Sequence, residues 1–194
     1  KEKAELILKG TATVSFGGQM VLYEKQKEKI MVIQLRSLAL TLILITLLMM
    51  IQLRSVTLGL VSLVPNGLPL LSMMGLMGFL NIALDPLVIF AGIISFGLSV
   101  DDSIHFLTQI KREISLSGNT NIRNVLERSY HMTSRALLST TAVLLLSSLS
   151  FLLSSFDHVY SIGVLIASAS AAALFGDLVL LPALILTVKP LQRF

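Results

Sequence analysis

The chain has 194 residues, of which 54% are hydrophobic and 13% charged, and a formal net charge of +4; its mean hydropathy is +0.85. Soluble domains carry about 25% charged residues, and disordered chains combine low hydrophobicity with high charge, so both classes are excluded. The absence of Cys excludes a disulfide framework, a thiolate metal site and a thiol nucleophile, and the basic residues form no stripe of the nucleic-acid-binding kind.

The chain opens on Lys1 with no signal-peptide pattern, and its first apolar run starts near Met31. It is expected to be a piece of a longer protein or one half of a split one. Ala12 to Phe16 alternates and is followed by Gly17-Gly18, which predicts a strand and a turn. Residues 20–36 look helical and polar and run into the first span. Residues 1–30 are therefore expected to be a short α/β remnant of an external, periplasmic domain.

A membrane helix needs about 20 mostly apolar residues. Runs without Asp, Glu, Lys or Arg cover 37–53, 55–84, 86–100, 136–156 and 158–188, the last broken by Asp177. The third is too short alone, but apolar character resumes from Ile104 to Ile110. Five spans follow, at about 31–53, 56–80, 87–110, 135–155 and 160–187, and the expected fold is an all-α membrane protein. Ile122, Val125, Leu126 and Ser129 recur at helical spacing, which predicts a cytoplasmic amphipathic helix over about 119–133, lying on the membrane surface. Residues 189–194 are a basic tail.

Charge in the connections sets the orientation. Arg54, the five basic residues between Lys111 and Arg135, Lys189 and Arg193 fall on one side and total eight, whereas the two short loops on the other side hold none. The C-terminus is expected in the cytoplasm of a cell with this multi-pass protein in its membrane. The other seven basic residues lie in 1–36, where a long translocated domain escapes the rule.

Asp101 lies ten residues before Lys111, or about 15 Å along a helix. That places Asp101 and Asp102 near the middle of a span, where an acid costs about 2.5–3.5 kcal/mol on an insertion scale. Such residues mark function by default. Two adjacent acids repel, so the pair is expected to bind a proton as a coupled unit. Gly97 and His105 share the Asp101 face at i−4 and i+4. Gly97 leaves room for a neighbouring helix, and His105 extends the face toward the basic end as a relay member. Asp177 lies at a similar depth and is read either as a proton carrier or as a helix-pairing residue. Gly163, Ala167 and Ala171 form a small-xxx-small stripe that predicts close helix packing. Pro65, Asn66, Gly67 and Pro69 interrupt the second span, as a plain kink or as the broken helix of a transport site.

Four stretches together resemble the C-terminal half of a resistance–nodulation–division (RND) superfamily exporter. The resemblance is to the branch that holds the mycobacterial large membrane proteins (MMPL) and the sterol-sensing-domain proteins. The stretches are VPNGLPLLSMMGLMGFLNIALDP at 64–86, GLSVDDSIHFLTQIKRE at 97–113 with Gly97 and Asp101 as G-x-x-x-D, SRALLSTTAVLLLSSLSFLLSSF at 134–156, and GDLVLLPAL at 176–184. The resemblance implies spans two to six of a six-span half, with the first span, most of the external domain and the other half missing. It implies proton-driven export of hydrophobic or amphiphilic substrates from a bacterial inner membrane. Asp101 and Asp102 would relay protons, and no cofactor, metal or catalytic residue is implied. The implied partners are membrane lipid, the substrate, and the missing half or a second copy. Two other functions fit less of the pattern. One is a sterol-sensing-like module that binds lipid without transport. The other is an intramembrane aspartyl protease, against which Gly-x-Gly-Asp is absent, Val100 replaces the tyrosine expected before the first acid, and Pro182 shares a span with Asp177.

Overall fold

The computed structural model describes residues 19–117 and 122–188. Five long helices run through them: α1 (Gln19–Gln52), α2 (Val56–Leu80), α3 (Pro86–Ser117), α4 (Ile122–Leu152) and α5 (Asp157–Phe175). A π-helical turn, Gly176–Leu180, carries α5 into a sixth segment, α6 (Leu181–Val188). Among the described residues, five stretches are long and apolar enough to cross a membrane: Lys29–Gln52, Val56–Leu80, Pro86–Leu116, Ile122–Leu152 and Asp157–Thr187. The protein is an all-α membrane protein, with no strand among the described residues. The strand and turn expected at residues 12–18 lie outside the described residues.

The helix ends follow from local chemistry. Ser55 has extended backbone angles, and its Oγ accepts the Leu58 N–H at 3.3 Å to start α2. The turn before it uses Arg54 at φ 46°, and the Lys111 ammonium donates to the Leu53 carbonyl at the end of α1. Asn81 closes α2 in the left-handed conformation, at φ 53°. Asp85 then accepts the Val88 N–H on Oδ1 at 2.8 Å, with Pro86 as the first residue of α3.

One segment differs from the sequence reading. The amphipathic segment expected at about 119–133 is not a separate surface helix. It is the first half of α4, which runs unbroken to Leu152. No Gly or Pro occurs between Ile122 and Leu152 to stop it, and its buried residues Val125, Leu126, Ser129, Thr133 and Leu137 continue one stripe into the span. Val125 and Leu126 join Phe106, Leu107 and Ile110 in the core. Helix α2 passes through Pro65 and Pro69 as one helix, which excludes the broken-helix alternative for the second span and leaves the plain kink.

Helix α3 is central and touches α1, α2, α4 and α5. One core cluster gathers Met49, Leu58, Phe96, Phe106, Leu181 and Ile185. A second, toward the start of α3, gathers Met73, Val88, Ala91, Leu165 and Ala169. Lipid provides little hydrophobic drive between helices, so close backbone approach matters. Gly163 supplies it: a Cβ there would lie 2.6 Å from the Phe151 Cβ and 3.1 Å from the Ser148 carbonyl oxygen.

Candidate functional site

Helix α3 presents two polar faces. Ser95, Ser99 and Ser103 recur every four residues and form one buried line. Gly97, Asp101 and His105 recur every four residues on an exposed face. Asp102 lies between the two faces and is half-buried.

Two of these serines, Ser99 and Ser103, reach α2, and Ser103 also reaches the π-helical turn, whereas the Ser95 hydroxyl is buried without a hydrogen-bond partner. Asn66 is fully buried, as is Ser103, and Asp177 is 1% exposed. The Asn66 Oδ1 accepts from the Ser99 hydroxyl at 3.1 Å and lies 2.8 Å from the Ser103 oxygen. The Ser103 oxygen also contacts Oδ1 of Asp177. The Asn66 Nδ2 faces the Met49 sulfur at 3.7 Å, and the Ser62 hydroxyl faces the same sulfur at 3.5 Å. A thioether sulfur accepts weakly and cannot donate, so turning the amide round would set its oxygen against sulfur lone pairs, and the orientation with the Asn66 oxygen on the serines is the favoured one. The second oxygen of Asp177, Oδ2, is buried without a partner.

Backbone irregularities on both sides bring these groups together. Pro69 has no N–H, so the Pro65 carbonyl lacks its usual intrahelical donor. Gly176 packs against that carbonyl and the Pro65 ring, within 3.0–3.2 Å of where a Cβ would stand. The next residue, Asp177, is thereby aimed at α2 and α3. Past it, the Leu181 N–H reaches back five residues to the Gly176 carbonyl, and the widened turn precedes Pro182, whose ring would crowd an ordinary helical turn.

The expected site residues are thus divided. Asp101 and His105 are exposed, and neither has a side-chain hydrogen-bond partner among the described residues. His105 lines a recess of about 300 Å³ with Gln109, Arg112, Glu113, Leu116, Met132 and Thr133. Asp102 is within electrostatic reach of both His105 and Asp177. Gly97 is exposed, with open space around a Cβ built on it. In the small-residue stripe, Gly163 is buried, Ala167 half-buried and Ala171 exposed. The roles of Asn66, Ser99 and Ser103 escape a reading that weighs only acids, histidines and small residues. Their signal is the four-residue serine spacing on the same helix as the aspartates. Among the described residues, no group of three or more His, Asp or Glu side chains has a metal-holding arrangement.

A family model, the MMPL family, matches residues 2–190. The chain belongs to the MMPL family. Membership and five apolar spans together make it a multi-pass membrane protein of the RND transporter-like kind. A search of curated proteins finds no match. In this MMPL-family chain the polar groups follow α3, the helix with the largest share of buried span.

Proposed function

We propose that this MMPL-family chain is part of a proton-coupled exporter of hydrophobic or lipid-like substrates, with protons relayed by Asp101 and Asp102 and passed toward the basic end by His105. The observation that carries this reading is the position of Asp101. It lies mid-way along α3, about 15 Å of helix from Lys111, yet it faces out of the five-helix bundle. A carboxyl group facing lipid at that depth is costly, and acids in spans instead face protein or a water-filled cavity. Another half of the transporter, or a second copy, covers this face, and the open space at Gly97 accommodates it. Asp102 connects the covered face to the interior, where Asp177 takes part in the relay. The proton gradient supplies the energy, without a cofactor or metal. The membrane is a bacterial inner membrane with the C-terminus in the cytoplasm, as the one-sided Lys and Arg placement supports.

Proton uptake into proteoliposomes tests this reading. The chain is reconstituted alone and with a partner half, and compared with an Asp101→Asn/Asp102→Asn variant. Flux that needs both the acids and the partner supports the relay. No flux in either setting sinks it.

A second reading has its own observation. An apolar recess of about 150 Å³ lies between α1, α2 and α3, lined by Leu38, Leu70, Met73, Met77, Val88 and Gly92. Flexible methionines adapt to varied apolar shapes, which supports a sterol-sensing-like module that binds lipid without transport. Unchanged lipid binding in the Asp101→Asn/Asp102→Asn variant, together with no proton flux, favours that module.

A further inference from the structure

The contacts of Ser103 set a proton count. Its oxygen meets two others, Oδ1 of Asn66 at 2.8 Å and Oδ1 of Asp177. The Asn66 oxygen can only accept. A carboxylate also only accepts, and the Ser103 hydroxyl has one proton to give. With Asp177 ionised, one of the two contacts would join lone pairs with no proton between them. With Asp177 neutral, its O–H donates to the Ser103 oxygen, Ser103 donates to Asn66, and every contact holds a proton. The unpartnered Oδ2 agrees with this state. An unmet carbonyl oxygen of a neutral acid costs far less in a dry interior than half of an unpaired carboxylate.

Among the described residues, no cation faces Asp177. Of the elements packed on the π-helical turn, α2 and α6 carry no titratable side chain. Helix α5 carries Asp157, His158 and Tyr160 at its far end. Helix α3 contributes Asp102, a charge of the same sign, while Asp101 and His105 lie on its exposed face.

We propose that Asp177 is a proton-binding site inside this bundle, and that its proton sets the direction of the Ser103 hydroxyl and thereby the grip on Asn66 of the proline-bearing helix α2. Loaded, the chain of donors runs from Asp177 through Ser103 to Asn66. On unloading, the Oδ1–H bond of Asp177 breaks and the Asp102 carboxylate takes the proton, so one carboxylate replaces another and the net charge is unchanged. Ser103 then turns its own proton to Asp177, and Asn66 keeps only Ser99 as a hydroxyl donor. The proton state of Asp177 is thus read by α2 through a reversible hydrogen bond. This extends the proton-coupled reading above, but its test does not depend on transport.

The test is infrared difference spectroscopy of the whole protein reconstituted in lipid, following the carbonyl stretch of protonated carboxylic acids in mildly acidic buffer. A protonated-acid band should be present in the parent protein, remain in Asp101→Asn/Asp102→Asn, and be lost when Asp177→Asn is added to that double variant. A band of the double variant that survives the added Asp177→Asn unchanged, or none in the parent protein, overturns the proposal. The amide bands of the same spectra report helix content. If Asp177→Asn loses that content, Ser103→Ala decides. Removing the acceptor of the acid proton should shift the band, and an unshifted band overturns the proposal. Loss of proton flux in Asp101→Asn/Asp102→Asn with the band intact leaves this proposal standing apart from the relay.

Discussion

Gly176 stands against the carbonyl oxygen of Pro65: a Cβ at position 176 would sit 3.0 Å from that oxygen and 3.2 Å from the Pro65 Cβ. The contact joins two irregularities, a carbonyl freed by Pro69 and a widened helical turn ahead of Pro182. It is backbone against backbone, so neither side yields by turning a rotamer. Helix propensity alone would favour Ala over Gly by about 1 kcal/mol. Gly176→Ala should nevertheless destabilise the protein by about 1–3 kcal/mol, the usual cost of overpacking. Thermal unfolding in detergent measures this, and a raised unfolding temperature would refute the steric account. The substitution should also move Asp177 away from Ser103 and shift the infrared band of the protonated acid.

Gly163 and Gly97 make a matched pair with opposite expectations. A Cβ on Gly163 meets Phe151 at 2.6 Å, while one on Gly97 meets nothing within 4 Å. Gly163→Ala should therefore lower the stability of the chain itself, again by about 1–3 kcal/mol. Gly97→Leu should change that stability by less than about 0.5 kcal/mol, as exposed substitutions usually do. Where another half or copy covers the Asp101 face, Gly97→Leu should instead prevent association, read by crosslinking in the membrane. Association that tolerates Leu at 97 would place the partner elsewhere.

The spans and the odd acids were legible because they break a strong rule. Apolar length marks a membrane helix, and a charge inside one is conspicuous at Asp101, Asp102 and Asp177. The boundaries were less legible. The polar start of α4 resembles a surface helix by composition, but its Val125–Leu126–Ser129–Thr133 stripe packs on the bundle because nothing between Ile122 and Leu152 breaks the helix. The relation between the two aspartates of α3 was half-legible. Adjacent residues on a helix lie about 100° apart, so Asp101 and Asp102 cannot share one environment. Which one faces inward depends on where α2 and α5 dock. Asn66 was least legible. It reads as part of a proline-flanked break, and only the docked serine line reveals that its oxygen is an acceptor for α3.

The Asn66 contacts predict measurable coupling. Ser99→Ala removes one hydrogen bond to the Asn66 oxygen and should cost about 1 kcal/mol. Asn66→Leu keeps an apolar volume but removes the acceptor for both serines, and should cost about 1–3 kcal/mol. In the double variant the costs should fall short of their sum by at least about 0.5 kcal/mol, because the two residues share a contact. Unfolding in detergent gives the cycle. Strict additivity would mean that the Ser99–Asn66 bond contributes nothing to stability.

Asp85 and His158 predict an unequal pair. The His158 Nδ1 lies 3.1 Å from the Asp85 Oδ2, joining the connection before α3 to the first turn of α5. The two oxygens of Asp85 do different things. Oδ1 accepts the Val88 N–H at 2.8 Å, which caps α3, while Oδ2 meets an imidazole whose side chain is 76% exposed. Exposed pairs contribute about 0–1 kcal/mol and are screened by salt. A lost helix cap costs about 0.5–2 kcal/mol. His158→Ala should therefore be nearly silent, and what effect it has should vanish in high salt. Asp85→Ala should lower stability by about 1 kcal/mol more, and that excess should persist in high salt. Asp85→Asn is the separating variant, because Asn is as good a cap as Asp but has no charge for the imidazole. It should behave like His158→Ala. If Asp85→Asn is as damaging as Asp85→Ala, the ion pair and not the cap holds this connection.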